Sequence, residues 1–203
     1  MADMSIRKLF QANLTSGIKE CTVSGWVRTV RDSKAFGFIE LNDGTFFKNL
    51  QIVLEDGLTE NFAEAVKISL GSAIRATGEL VLTPGSKQPF ELKARKVEVL
   101  GLCDPSFPLQ KKRHTFEYLR TIAHLRPRTN KYGAAFRIRS EAAMAIHDYF
   151  RGQGYYYVHA PILTGSDCEG AGEMFRVTTL PVDGGPKPES GNFFENDFFG
   201  KPA

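Results

Sequence analysis

Residues 21–100 constrain the fold more than any other part of this chain, because apolar residues there recur with a period of two, interrupted once. Residues 21–30 alternate around Val23, Trp26 and Val27 and predict a strand, followed by a turn at residues 31–34. Residues 36–41 predict a second strand, closed by the turn signal Asn42-Asp43-Gly44, and residues 50–54 a third. Residues 58–67 break the period. Phe62, Ala65 and Val66 fall on one side of a short helix, for which Thr59 has the chemistry of an N-cap. Residues 73–82 predict a fourth strand, residues 83–86 a tight turn, and residues 90–100 a fifth strand. Residues 1–20 are a short amphipathic lead-in with a turn near Ser16-Gly17.

Three strands, one helix and two strands, in that order, are the elements of a five-stranded OB barrel. Such barrels bind oligonucleotides on the face of strands 1 to 3, through stacked aromatics and nearby basic groups. Arg28, Arg31, Phe36, Phe38 and Gln51 lie on those strands or their loops. Phe36 and Phe38 share one strand face, so the pair is either a piece of the core or a stacking surface.

Pro105 and Pro108 mark a boundary after the fifth strand. From Gln110 to Ser140 nine basic residues (Lys111, Lys112, Arg113, Arg120, Arg126, Arg128, Lys131, Arg137, Arg139) face one acid, Glu117. An excess of this kind is the pattern of a phosphate-facing surface, and also of a solvated linker. A helix is expected over residues 115–123, stopped by Arg126-Pro127-Arg128. A longer amphipathic helix is expected over residues 136–151, with Ile138, Ala142, Ala145 or Ile146, and Tyr149 at helical spacing and Gly152 and Gly154 ending it. Residues 155–163 are aromatic and branched and predict a buried strand, with Pro161 at its end or edge. The small, polar, acidic residues 164–173 then form a loop of the kind that presents polar groups to a ligand. The doublets Phe193-Phe194 and Phe198-Phe199 look like parts of a further sheet.

A content of 42% apolar and 24% charged residues places the chain among ordinary soluble globular proteins. No window reaches the roughly 18 apolar residues of a membrane span, and the first residues lack the apolar core of a secretory signal. Cys21, Cys103 and Cys168 are odd in number and far apart, which points to free thiols in a reducing compartment, the cytoplasm.

Taken together, the chain resembles the class II aminoacyl-tRNA synthetases that carry an N-terminal anticodon-binding OB domain, the aspartate, asparagine and lysine group. The residues that carry the resemblance are Gly25-Trp-Val-Arg28, Arg31-Asp32, Phe38-Ile-Glu40, Leu50-Gln51-Ile52, His124-Leu-Arg-Pro-Arg-Thr-Asn130 and Phe136-Arg-Ile-Arg-Ser140. The run from Ser166 to Arg176, with Asp197-Phe-Phe-Gly-Lys201, is similar to the bacterial-type asparaginyl branch.

The resemblance implies an all-β OB barrel at residues 1–103 and a basic hinge at 104–131. At 132–203 it implies the truncated start of an α+β catalytic domain with an antiparallel sheet. It implies that Phe38 stacks on an anticodon base, that Gln51 bonds a base edge, and that Glu91 contacts the region of the first anticodon base. Arg28 and Arg31 would hold phosphates. Arg139 and Pro161 would lie in a homodimer interface, and Ser166, Glu169 and Gly170 in a lid over the amino acid. The implied partners are tRNA(Asn), L-asparagine and ATP with Mg²⁺. The Arg-x-Glu and Gly-rich Glu-Arg segments that hold ATP in this class are not among the 203 residues. The expectation is therefore no catalytic or metal-ligating residue here, and no activity of this chain alone. Two other readings share most of these residues: a non-catalytic RNA-binding protein made from such an OB domain, and an aspartyl enzyme of the same group.

Overall fold

The computed structural model describes residues 3–12, 14–86, 88–163, 177–179 and 197. The chain divides into two compact units, residues 1–142 and 143–203.

In the first unit, β1 (Ile18–Ser33), β2 (Phe36–Asn42), β3 (Leu50–Glu55), β4 (Ala73–Leu82) and β5 (Phe90–Gly101) close into a barrel of strand order β1-β2-β3-β5-β4. β1 is longer than the sequence suggests because it serves two neighbours. Its first half pairs with β4 (Thr22 opposite Thr77) and its second half with β2 (Arg31 opposite Phe38). That pairing extends β1 through residues 31–33, where a turn was expected, and leaves Lys34 (φ 56°) to make the turn. The barrel closes through a parallel contact of β3 with β5, with Ile52 opposite Leu92.

Alternation decides which side chains enter the barrel. On β2, Gly37, Ile39 and Leu41 are buried while Phe36, Phe38 and Glu40 face outward. Leu50, Ile52 and Leu54 of β3, Ile74, Ala76 and Leu80 of β4, and Leu92 of β5 complete the interior. α1 (Ile6–Gln11), capped by the Ser5 hydroxyl, adds Ile6 and Leu9 to this core. Asp43 Oδ2 accepts from the Ile6 amide at 2.7 Å and ties α1 to the β2–β3 loop. At Gly78 the backbone of β5 comes so near that a Cβ would lie 1.9 Å from the Lys93 carbonyl oxygen, so only glycine fits.

α2 (Phe62–Ala65) inserts between β3 and β4 and buries Ala65. Its N-cap is Asn61, not Thr59. Thr59 is buried instead, because its hydroxyl donates to the Ala94 carbonyl at 2.8 Å and accepts from the Glu55 amide at 3.1 Å, a better use of a buried hydroxyl than a helix end.

After β5 come α3 (Phe116–Thr121), capped by Thr115 as its sequence suggests, a 3₁₀ turn at Arg126–Arg128, and α4 (Asn130–Gly152). α4 begins six residues before the helix read from the sequence (136 − 130). Gly133 does not delay it, since this glycine is buried against the Pro127 carbonyl, where a Cβ would sit at 3.1 Å.

In the second unit α4 ends at Gly152, and Gly154 turns the chain in the left-handed region (φ 87°). The expected strand over residues 155–163 is not formed. The segment is irregular, with Tyr156 94% and Ile162 91% exposed, and Pro161 lies exposed within it. A strand exists only through a pairing neighbour, and among the described residues none lies alongside; aromatic and branched composition alone does not replace the missing hydrogen bonds. Asp197 is buried and accepts from the Thr178 hydroxyl (2.6 Å) and the Thr179 amide (2.8 Å).

The inward position of Ile39 and the outward position of Phe38 have separable consequences. Ile39→Ala should cost about 2–5 kcal/mol in urea denaturation of this chain. Phe38→Ala should cost about 1 kcal/mol or less. Equal losses would put Phe38 in the core.

Candidate nucleic-acid interface

The outer surface of β1, β2 and β3 collects most of the residues that sequence reasoning selects for RNA. Register brings them together: Arg31 lies opposite Phe38, Phe38 opposite Val53, and Glu40 opposite Gln51. The Arg31 guanidinium sits over the Phe38 ring at 5.4 Å from its centroid. A ring has two faces, and this contact occupies one of them. Phe36, 42% exposed, continues the aromatic row toward the start of β2. Of the two readings left open for Phe36 and Phe38, the outward one holds for both.

Gln51 Nε2 donates to Glu91 Oε1 at 2.8 Å, joining β3 to β5 on the outer surface. A carboxylate only accepts, so this bond orients the amide: the nitrogen faces Glu91, and the oxygen and the second N–H remain for another partner. The Gln51 backbone amide donates to Gln88 Oε1 at 3.2 Å, which pins the β4–β5 loop beside the pair.

Arg28 is half-buried on β1. Burial pulls its pKa below the usual guanidinium value, the neighbouring Arg128 adds to that, and Glu40 opposes it. Glu40 is held by Asn49, whose Nδ2 donates to its carboxylate at 3.2 Å; Asn49 Oδ1 in turn accepts from Asn42 Nδ2 at 3.0 Å. Arg128 itself lies over the Trp26 ring at 5.1 Å.

Arg28, Arg31, Phe38, Gln51 and Glu91 are therefore on one continuous side of the barrel. Arg139 is exposed on α4, and Pro161 is exposed in the irregular segment of the second unit. Ser166, Glu169 and Gly170 lie outside the described residues. Sequence reasoning did not select Glu40, Asn49, Gln88 or Arg128 as single site residues. Glu40 was within reach, two positions from Phe38 on the same face. Asn49 and Gln88 carry no local signal, because only closure of the barrel brings them near; Arg128 was read as part of the basic run, but its place over Trp26 follows from the path of the chain after β5.

A five-stranded barrel with an aromatic and basic outer face is the structure of an OB-fold nucleic-acid-binding module. Residues 21–100 match the family of OB-fold nucleic acid binding domains found in tRNA anticodon recognition, and residues 116–185 match the class II tRNA synthetases of the D, K and N type. Over these two segments the chain is similar to class II aminoacyl-tRNA synthetases. Asparagine–tRNA ligases are among its sequence relatives. It is 66% identical over 182 residues to the one from Acetivibrio thermocellus, covering 89% of this chain and 39% of the relative. It is 56% identical over 204 residues to that from Clostridium novyi, covering 100% of this chain and 44% of the relative. The chain thus spans about two fifths of the length of the curated relatives it matches. In fold it is similar to asparaginyl-tRNA synthetase from Pyrococcus horikoshii complexed with asparaginyl-adenylate. The TM-score is 0.74 at 23% identity, covering 87% of this chain and 40% of that one.

If Glu91 orients Gln51, the Nε2 proton that it binds should exchange slowly with solvent in ¹⁵N NMR spectra. Glu91→Ala should speed its exchange to that of a solvent-exposed glutamine. Unchanged signals would mean that the amide is held by something else.

Proposed function

We propose that this chain is part of an asparagine–tRNA ligase and that its barrel reads the anticodon loop of tRNA(Asn). The observation that carries the proposal is the pairing of a stacking aromatic with an oriented amide on one face, Phe38 under Arg31 beside Gln51 on Glu91. Bases of an RNA loop are splayed out, and proteins read them by stacking and by hydrogen bonds to their edges. Phe38 offers its other face to a base, Gln51 its free oxygen and N–H to a base edge, and Arg28 and Arg31 their charge to phosphates. Glu91, beside Gln51, would contact the region of the first anticodon base. The 56–66% identity to asparagine–tRNA ligases supports asparagine as the amino acid.

In the whole enzyme the carboxylate of L-asparagine attacks the α-phosphate of ATP and expels diphosphate. The terminal hydroxyl of the tRNA then attacks the acyl carbon of the adenylate and releases AMP. Mg²⁺ accompanies ATP and offsets charge on its phosphates. Among the described residues no group of three or more His, Cys, Asp or Glu side chains is placed to hold a metal ion. In this reading residues 1–103 are the anticodon-binding domain, 104–131 the hinge and 132–203 the start of the catalytic domain. Ser166, Glu169 and Gly170 form part of a lid over asparagine, with the Glu169 carboxylate toward its ammonium group. Arg139 and Pro161 belong to a homodimer seam. The exposed apolar residues Met144, Ile146 and Tyr149 of α4 support a partner there. The cytoplasm is the compartment where such a reaction is needed. No helix among the described residues is long and apolar enough to cross a membrane.

A labelled anticodon stem-loop of tRNA(Asn), titrated with the chain and followed by fluorescence anisotropy, tests the reading. Affinity should fall as salt rises. Phe38→Ala should weaken binding by about 1–3 kcal/mol, roughly 5- to 150-fold, with the far-UV spectrum unchanged. A folded variant that binds as tightly as the natural chain would overturn the role of Phe38.

A further inference from the structure

One feature of the first unit is not used by the anticodon-reading face. A cleft of about 910 Å³ opens between the barrel wall at Trp26 and Arg28 and the basic chain that follows β5. Lys111, Lys112 and Arg113 line it from the segment before α3, and Arg128 and Lys131 from the 3₁₀ turn and the start of α4. The only carboxylate among the lining residues is Glu40, already engaged by Asn49. None of these six cations is in an ion pair among the described residues; those pairs join other groups.

Two of them rest on aromatic rings instead. Arg128 lies over Trp26 at 5.1 Å and Lys131 over Phe116 at 4.8 Å. Just behind them, Arg126 lies over Tyr132 at 5.0 Å and Phe136 at 5.6 Å. An aromatic face attracts a cation through its quadrupole but neither neutralises it nor occupies its N–H donors. A carboxylate would do both. Arg128 and Lys131 are therefore ordered without being neutralised, in a cleft whose cations repel one another. The downward pull of Arg128 on Arg28 is one sign of that repulsion. An anion with repeated charges relieves it. Glu40 and Asn42, which line the cleft, lie two and four positions from Phe38 on the outward side of β2. The cleft is thus the continuation of the Phe38 face.

We infer that this cleft is a second RNA contact, a clamp for the phosphodiester backbone of the base-paired stem adjoining the loop that Phe38 reads. It would contribute affinity and orientation without reading sequence, since phosphate contacts carry none. The choice of RNA over an acidic peptide rests on the anticodon-loop reading above. The two can fail separately.

Trp26 is the only tryptophan of the chain and lines the cleft at 43% exposure, so its emission reports on the site directly. The chain would be titrated with the anticodon stem-loop, with the same hairpin carrying a reshuffled but paired stem, with the loop nucleotides as a single strand, and with polyglutamate. Both hairpins should change Trp26 emission equally. The isolated loop strand should bind, by anisotropy, with little change in Trp26 emission. The double variant Lys112→Ala, Lys131→Ala alters two exposed side chains and leaves the barrel core untouched. It should weaken hairpin binding at least several-fold and lower the slope of log affinity against log salt by about 2, with loop-strand binding nearly unchanged.

Phe38-dependent hairpin binding with silent Trp26 and an unchanged salt slope would overturn the clamp and leave the loop reading standing. Equal losses for hairpin and loop strand would also overturn it, as would stem-sequence dependence. Polyglutamate binding as tightly as the hairpin would assign the cleft to acidic peptides instead. A hairpin that changes Trp26 emission but binds independently of Phe38 would overturn the loop reading alone. No binding of either hairpin would overturn both.

Discussion

Alternation along β2 is the constraint on which the rest of this structure depends. A strand in a closed barrel has one side for the core and one for solvent, and a shift of one residue exchanges them. Ile39 and Leu41 are wholly buried, and the register with β1 and β3 is fixed on both sides of β2. Phe38 and Glu40 are therefore committed to the outside. The apolar residues that close the barrel thus also aim the aromatic and the carboxylate that organise its outer face. Phe38 meets Arg31, Glu40 faces Arg28, and the Gln51–Glu91 pair stands next to them across β3 and β5.

The outer face shows two ways of holding a cation. Arg28 has a carboxylate neighbour, Glu40, itself braced by Asn49 and Asn42. Arg128, Lys131 and Arg126 rest on aromatic rings. The first arrangement balances charge locally. The second orders a side chain while leaving its charge available to a ligand. Arg137 belongs to neither: its Nη2 donates to the Gly44 carbonyl at 2.8 Å and fastens the β2–β3 loop to α4. The same loop receives α1 through Asp43, so its geometry is set by two helices as well as two strands.

Much of this was legible in the sequence. β4 ends where its alternation ends, at residues 73 and 82, and Thr115 caps α3 as its chemistry suggests. Local pattern sufficed there because the deciding interactions are local. It failed where a distant partner decides. Thr59 looks like a helix cap, but β5 supplies a carbonyl for its hydroxyl. β1 runs past an apparent turn because β2 folds back to pair with it. Residues 155–163 have strand composition without a strand to pair with among the described residues. At the candidate interface, residue types on strands were readable by period. The basic run after β5 was readable as charge, but the placement of Arg128 over Trp26 was not.

The central claim is that the outer face of β1–β3 receives an RNA loop. Photo-crosslinking tests it most directly, with 4-thiouridine placed in the anticodon loop of the tRNA(Asn) hairpin and crosslinked peptides mapped by mass spectrometry. The account predicts crosslinks concentrated on β2 around Phe38 and on β3 around Gln51. Crosslinks confined to the outer faces of β4 and β5, away from Glu91, would contradict it.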